Sequence, residues 1–437
     1  MEIDARALKA LETIENAGFE AYLVGGCVRD FLRGMTPHDY DITTSALPEQ
    51  TMKAFEGYHI IETGLKHGTV TVMLDSLPLE ITTFRQDGKY SDARRPDKVT
   101  FVSSLKEDLA RRDFTVNAIA MDRHQNVYDF FIGQEDIKNG VIRCVGEPQK
   151  RFSEDALRLM RALRFASVTG FEIEQETENA IITLAPHIKN VAAERIATEL
   201  LKTLSGKFDG LFLKHTALLS QIIPEIEDMN NCDQNNIHHI YNVWEHSVRA
   251  AQSAPCDSIL RLALILHDTG KPFTVSTDDF GQNHFYGHAD VSEKIARRVC
   301  RDLKLSNEDS HRIVTLVKYH DYPLENNRKI LRRRLSKFGK ETMLDLMAVK
   351  RADNLAQSPE FDRQKFYDET ESILNEIFED DECFSLKQLA VNGHDMIELG
   401  FDGKKIGVVL EKLLSLVVDG KLKNDKDILL EEAKKDL

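Results

Sequence analysis

Long hydrophobic runs are missing from this chain: no uninterrupted apolar stretch approaches the ~20 residues that a bilayer helix needs. The opening Met1-Glu2-Ile3-Asp4 is acidic and lacks the basic start and apolar stretch of a signal peptide. Cysteine is scarce. Cys27, Cys144, Cys232, Cys256, Cys300 and Cys383 are scattered, with no CxxC pair, which argues against a disulfide framework or a cysteine–zinc ribbon. They read as reduced thiols in a cytoplasmic protein. Positive charge is in deficit, with 57 Lys and Arg against 72 Asp and Glu and a net charge of −15. That balance argues against indiscriminate coating of nucleic acid but leaves room for a local basic face. Basic residues gather at 85–98, 106–112, 150–164 and 328–340. No Pro- or Gly-rich linker, internal repeat or low-complexity tract interrupts the sequence. At 437 residues the chain is too long for one core, so about two to four abutting domains are expected.

The pattern changes near residue 150. Before it, residues 5–17 predict an amphipathic helix with Leu8, Leu11 and Ile14 on one stripe. Ala21 to Val24 reads as a strand ending at Gly25-Gly26, Val28 to Leu32 as a helix start, and Tyr40 to Thr43 as a second strand. Thr69 to Leu74 and Leu79 to Phe84 alternate as a hairpin around Asp75-Ser76. Residues 87–97 are polar and read as a loop, and 115–121 and 127–131 as further strands. From Ser153, a suitable N-cap followed by Glu154-Asp155, the chain reads as helical to its end.

The chemistry begins at Gly25-Gly26-Cys27-Val28-Arg29-Asp30, a turn that lets backbone approach a bulky charged group. His38-Asp39-Tyr40-Asp41-Ile42 follows, and its two carboxylates, spaced by two, point the same way from a strand. Such a pair holds hard divalent cations such as Mg²⁺ against a triphosphate. Glu80 on a neighbouring strand would add a third carboxylate, enough for two cations about 4 Å apart. Arg111-Arg112-Asp113-Phe114-Thr115-Val116-Asn117-Ala118 supplies paired guanidiniums for phosphates, with Asp113 and Asn117 to orient a ribose.

Taken in order, these motifs resemble the class II tRNA nucleotidyltransferases, the CCA-adding enzymes, and their bacterial poly(A) polymerase relatives. His67-Gly68-Thr69, the stretch 129–146, Glu154-Asp155-x-x-Arg158 and Glu194-Arg195-Ile196 extend the match over the first 200 residues or so. The resemblance implies an α+β chain: a polymerase β-like nucleotidyltransferase head, then an all-α neck, body and tail. The expected spans are 1–145 for the head, 146–235 for the neck, 236–360 for the body and 361–437 for the tail. It implies Mg²⁺ on Asp39 and Asp41, and nucleotide contacts from Gly25, Gly26, Arg29, Arg112, Asp113, Asn117 and Arg161. Asp155 and Arg158 would read the incoming base. On one helix face, a carboxylate and a guanidinium can present a Watson–Crick-like edge to C or A without a nucleic-acid template. The implied partners are tRNA, CTP and ATP, with no membrane. The loop 87–96 favours an enzyme that adds A, either a complete CCA-adding enzyme or an A-adding one. The basic segment 328–334 is expected to meet tRNA phosphates.

A second constellation stands in the body: His246, His267-Asp268, His288, His320 and Asp353, with Gly270-Lys271 after the His-Asp pair. It resembles the HD phosphohydrolase superfamily, and its imidazoles favour a transition metal such as Mn²⁺, Ni²⁺ or Fe²⁺. His284 is a rival for His288, while His238 and His239 fit the pattern less well. Two readings of other classes stand beside the transferase: an HD phosphohydrolase with a targeting head, and an RNA-binding protein with a silent head.

Overall fold

A computed structural model describes residues 3–37, 39–87, 99–235, 237–380 and 382–437. His38 and almost all of the 87–96 loop therefore lie outside the described residues. The chain forms two compact units, Met1–Pro224 and Glu225–Leu437.

The first unit is mixed α+β. Its seven-stranded sheet runs from His59–Ile61 at one edge through Thr69–Leu74, Leu77–Thr83, Asp41–Thr44, Ala21–Val24 and Ile119–Met121 to Val127–Asp129. All pairings are antiparallel except Asp41–Thr44 with Leu77–Thr83, which is parallel. The expected helix spans Ala5–Asn16 and buries Leu11 and Ile14 against Leu23, Ile42, Val70 and Ile81. Asp75 and Ser76 both take positive φ, 44° and 66°, as a two-residue turn between twisted strands requires.

Three local readings are corrected. Thr115–Asn117 is a 3-10 turn and only Ile119–Met121 enters the sheet. The Thr115 hydroxyl donates to Asp136 at 2.6 Å, and Gly133 packs so closely that a Cβ there would lie 2.3 Å from the Thr115 carbonyl oxygen. Ser153 is no N-cap. It sits inside the helix Pro148–Glu154 and donates its hydroxyl to the Gln149 carbonyl at 2.7 Å. Asp155 is extended (φ −140°, ψ 102°) and separates that helix from Leu157–Thr169, whose Leu157 N–H donates to the Asp155 carboxylate at 3.0 Å.

Among its described residues the second unit is helical apart from one two-residue strand pair, Ser276–Thr277 with Asn283–His284. Leu331, Leu335 and Met343 share a core with Tyr367, Leu374 and Ile377, so packing continues across residue 360. A separate core from Leu389 to Ala433 holds the C-terminal helices. The basic helix Arg328–Phe338 presents few free guanidiniums, because neighbouring acids already occupy several of them. Arg328 meets Glu376, Asp380 and Glu382, Arg332 meets Glu382 at 2.8 Å, and Arg333 meets Asp419 at 2.7 Å. No helix among the described residues is long and apolar enough to cross a membrane.

Candidate active site

The acidic end of the first unit's cleft lies where the chain enters the strand Asp41–Thr44, one residue later than the expected start at Tyr40. Asp39 and Asp41 are exposed while Tyr40 and Ile42 are buried. Glu80 stands directly opposite Asp41 in the parallel ladder and is also exposed, so the two side chains share a face about 5 Å apart. Asp41 is accessible but recessed. Burial, opposed by Arg112 and reinforced by Glu80 and Asp39, pushes its carboxyl up to about 6. A recessed carboxylate raised by burial and by two acidic neighbours suits a cation site.

Gly25 makes the turn out of the strand Ala21–Val24 at φ 77°, a conformation that side chains with a Cβ rarely take. A Cβ there would lie 3.3 Å from Arg112 Nη1 and 3.7 Å from Asp41 Oδ2. The glycine keeps open the space between a guanidinium and a metal-type carboxylate.

The opposite wall is a polar network. Arg29 Nη1 donates to Asn117 Oδ1 at 2.8 Å, and Asn117 Nδ2 donates to Asp113 Oδ1 at 3.2 Å. Arg161 donates to Asp113 Oδ2 through Nε at 2.8 Å and Nη2 at 2.5 Å, and Arg164 donates to Glu199 at 3.2 Å. Burial works against charge on Asp113, yet Arg161 outweighs it and draws the carboxyl down to about 2. Its stabilising effect is therefore present at pH above 4 and is lost only as pH falls toward 2. Asp113→Ala leaves buried cations short of their counter-charge. It should lower unfolding free energy by about 3 kcal/mol in urea titrations at pH 7, and a loss below about 1 kcal/mol would show that the network is not structural.

Gly25, Gly26, Arg29, Asp39, Asp41, Glu80, Arg112, Asp113, Asn117, Asp155, Arg158 and Arg161 all line this one cleft, whose volume is about 1030 Å³. Asp155 and Arg158 do not share a helix face, since Asp155 lies before the helix. Its Oδ2 accepts from Arg195 Nη2 at 2.8 Å. Arg158 is buried and donates to Glu154 at 3.1 Å and to the carbonyls of Arg151 and Arg111 at 3.0 and 3.1 Å. Among the lining residues that escaped sequence reasoning are Arg164, Phe165 and Lys202. The guanidiniums of Arg29, Arg161 and Arg164 lie 5.3, 5.2 and 4.1 Å from the Phe165 ring centre. The i, i+3 spacing of Arg158, Arg161 and Arg164 was the available signal.

A second cluster lies in the second unit. His246 on the helix Val243–Ser253, His267-Asp268 after Ser258–Leu266, His288 at the start of His288–Asp302, His320 after Asn307–Tyr319 and Asp353 on Lys340–Leu355 converge. Asp268 Oδ2 lies 3.1 Å from His267 Nε2 and 3.6 Å from His246 Nε2. Asp268 Oδ1 lies 3.4 Å from His288 Nε2 and 3.7 Å from His320 Nε2. Asp353 Oδ1 reaches His246 at 2.7 Å and His267 at 3.3 Å.

Two overlapping groups have metal-binding geometry, His246–His267–Asp268 and Asp268–His288–His320. In each ring Nδ1 faces a backbone carbonyl, of Ala356, Leu264, Phe285 or Val317, at 2.6–3.2 Å, which turns Nε2 inward. His267 Nε2 and Asp268 Oδ2 are both buried, 3.1 Å apart, and Lys271 Nζ lies 2.7 Å from that oxygen. Burial opposes charge on His267, but Asp268 and Asp353 overcome it and raise the ring to about 10. His284 is excluded from the centre and pairs with Asp278 at 2.9 Å. His239 lies with its ring 4.7 Å from that of His246.

Comparison with known proteins finds three family matches along the chain. Residues 21–143 match the "Poly A polymerase head domain", 170–229 the "Probable RNA and SrmB- binding site of polymerase A", and 282–433 the "tRNA nucleotidyltransferase domain 2 putative". A CCA-adding enzyme of Lactobacillus helveticus is 35% identical over 98% of this chain and 96% of its own length. One from Leuconostoc mesenteroides is 47% identical over 57% of this chain, a match that spans 63% of that relative. The crystal structure of the Bacillus stearothermophilus CCA-adding enzyme in complex with CTP superposes with a TM-score of 0.71 at 30% identity, covering 99% of this chain and 96% of the other.

Proposed function

The chain belongs to the CCA-adding enzyme family, and from that premise we propose that its head cleft adds C, C and A to the 3′ end of tRNA from CTP and ATP. The observation that carries this reading is the placement of Asp39, Asp41 and Glu80 at one end of a cleft whose other wall is lined with arginine. Asp39 and Asp41, with Glu80, would hold two Mg²⁺, which neutralise the triphosphate and activate the attacking hydroxyl. Gly25, Gly26 and Arg29 would lie against the triphosphate. Arg112, Asp113, Asn117 and Arg161 would place the nucleotide. The terminal 3′-oxygen forms its bond to the α-phosphorus as the α–β bridge breaks and pyrophosphate leaves with the electron pair. An A-adding enzyme or poly(A) polymerase would use the same cleft. With tRNA ending at the discriminator base, CTP alone should extend it by two residues and ATP alone by none. Extension by ATP alone would replace this reading with poly(A) synthesis.

Base choice falls to Asp155 and Arg158, with Arg195 orienting the carboxylate. Arg158→Ala should raise UTP and GTP incorporation relative to CTP and ATP about tenfold, the scale of one lost bidentate base contact. Arg195→Ala should move selectivity the same way by less. Unchanged selectivity in mixed-nucleotide competition would put base reading elsewhere in the cleft.

The histidine–aspartate centre supports a second activity, hydrolysis of a phosphomonoester or 2′,3′-cyclic phosphate. His246, His267, Asp268, His288, His320 and Asp353 would hold a transition metal such as Mn²⁺, Ni²⁺ or Fe²⁺, which would polarise the phosphoryl oxygen and supply hydroxide. Water adds to phosphorus, the P–O ester bond breaks, and the leaving oxygen takes a proton to become a free hydroxyl. Such trimming would return a 3′-OH to the head, which fits one protein carrying both sites. As a tRNA enzyme, the protein would work in the cytoplasm.

A further inference from the structure

Exposed apolar side chains gather beside the histidine–aspartate centre. Ile237, Ile240, Phe273, Val275, Phe280 and Tyr286 all face solvent, in two short segments that flank the metal ligands. Phe280 is 96% exposed at the tip of the hairpin Ser276–His284, and Tyr286 is 79% exposed just after it. The rings of His284 and Tyr286 stack 5.6 Å apart with only 8° between their planes. Flat aromatic faces held open to water in this way lose solvation advantage unless something stacks on them.

The hairpin is fastened rather than loose. Asn235 Nδ2 donates to the Gly281 carbonyl at 2.7 Å, and Asn283 Nδ2 donates to the Asp233 carbonyl at 3.1 Å. His284 is fixed to Asp278 at 2.9 Å. The 233–235 segment is also part of the wall of the metal centre. Gln234, buried, accepts from Lys271 Nζ at 2.7 Å, and that same Nζ lies 2.7 Å from Asp268 Oδ2. At the other end, Tyr286 precedes the ligand His288 by two residues, at most about 7 Å along the backbone. Phe285, immediately before Tyr286, supplies the carbonyl that orients His288 at 2.8 Å. One rigid piece therefore carries both a stacking surface and two walls of a phosphate-type metal site.

We propose that this hairpin is a base-stacking platform that makes the second centre selective for the single-stranded 3′ end of RNA. The terminal base would stack on Tyr286 and His284 and a preceding base on Phe280, with the terminal phosphate directed to Asp268 and its histidines. More than one exposed ring argues for a strand and against a lone mononucleotide, since successive bases stack on successive aromatic side chains. The inference rests on the phosphohydrolase reading of the centre, and its test keeps the two apart.

The probe is a short RNA with 2-aminopurine as its last base and a 3′-phosphate. Its fluorescence should fall on binding to the wild-type protein, and the binding should weaken about tenfold or more in Tyr286→Ala with Phe280→Ala, the scale of lost base stacking. Both side chains are largely exposed, so folding should be untouched. With Mn²⁺ present, the double variant should raise KM for the RNA 3′-phosphate by a similar factor and leave hydrolysis of glycerol 2-phosphate, which has no base, within twofold. Tyr286→Phe should retain wild-type behaviour. Equal fluorescence changes in wild type and double variant would overturn the platform, as would equal losses on both substrates. If a mononucleotide 3′-phosphate shows the same KM penalty as the RNA, the strand is not the ligand and the proposal falls. Failure of the wild type to hydrolyse either substrate would remove the phosphohydrolase reading, while the fluorescence arm still decides the platform.

Discussion

Alanine at Asp39 or at Asp41 is expected to abolish C and A addition together, with a fall of at least about a thousandfold in the rate of each step. The scale follows from losing several kcal/mol of charge stabilisation at the transferred phosphate. Both nucleotides should lose together because the cleft contains one acidic end, where Asp41 and Glu80 face each other across a parallel ladder. Asp41 should be the more sensitive position. Its carboxyl is raised to about 6 by burial, with Glu80 and Asp39 adding to it against the pull of Arg112. Affinity for tRNA should survive, since removing a carboxylate also removes repulsion toward phosphate. Quench-flow addition assays and filter binding on the same variants separate the two effects. Near-normal addition of either nucleotide by either variant would disprove the assignment of the metal site.

The second large effect concerns the other unit. His267→Ala combined with Asp268→Ala should eliminate metal-dependent phosphohydrolysis and bound transition metal, and leave nucleotide addition within about twofold, as expected of independent sites in separate units. Asp268 contributes an oxygen to both candidate ligand groups, so no single substitution should damage the centre more. The protein should also become less stable, because His246, His288 and His320 lose the carboxylate around which their Nε2 atoms are arranged. Elemental analysis of the purified variant, set beside addition and hydrolysis rates, reads all three consequences. Retained metal at wild-type stoichiometry would place the ion elsewhere, and a large fall in addition would show that the two chemistries are coupled.

The strands of the head could be read from the sequence because their signals are local. Asp39 and Asp41 are exposed and Tyr40 and Ile42 buried, although the strand itself begins only at Asp41, and Asp75-Ser76 marks its hairpin turn through side chains that tolerate positive φ. Glu80 was recognisable as a strand acid, but its position opposite Asp41 depends on a parallel pairing that no local pattern announces. The helical neck was harder. Glu154-Asp155 looks like a first helical turn, yet the chain breaks at Asp155, whose carboxylate accepts locally from the Leu157 N–H and is also held by Arg195, forty residues on. Arg164 and Phe165 were missed for a similar reason. A stripe of arginines on a helix ordinarily covers a solvated face, and only the fold shows three guanidiniums around one buried ring. The histidine–aspartate set was legible because its residue types are uncommon and ordered. Its choice between His284 and His288 was settled by Asp278, which holds His284 outside the centre. In the basic run at 328–334 the fold adds what no local pattern announces, the pairing of Arg328, Arg332 and Arg333 with Glu376, Asp380, Glu382 and Asp419.

The central claim, template-independent synthesis of a defined trinucleotide, is tested most directly by product length. A tRNA ending at the discriminator base is incubated with both CTP and ATP in large excess, and the extended ends are resolved to one nucleotide and sequenced. Growth that stops after C, C and A is the predicted result. A ladder of A residues would make the protein a poly(A) polymerase, and extension only of tRNA that already ends in CC would make it an A-adding enzyme; either outcome contradicts the account.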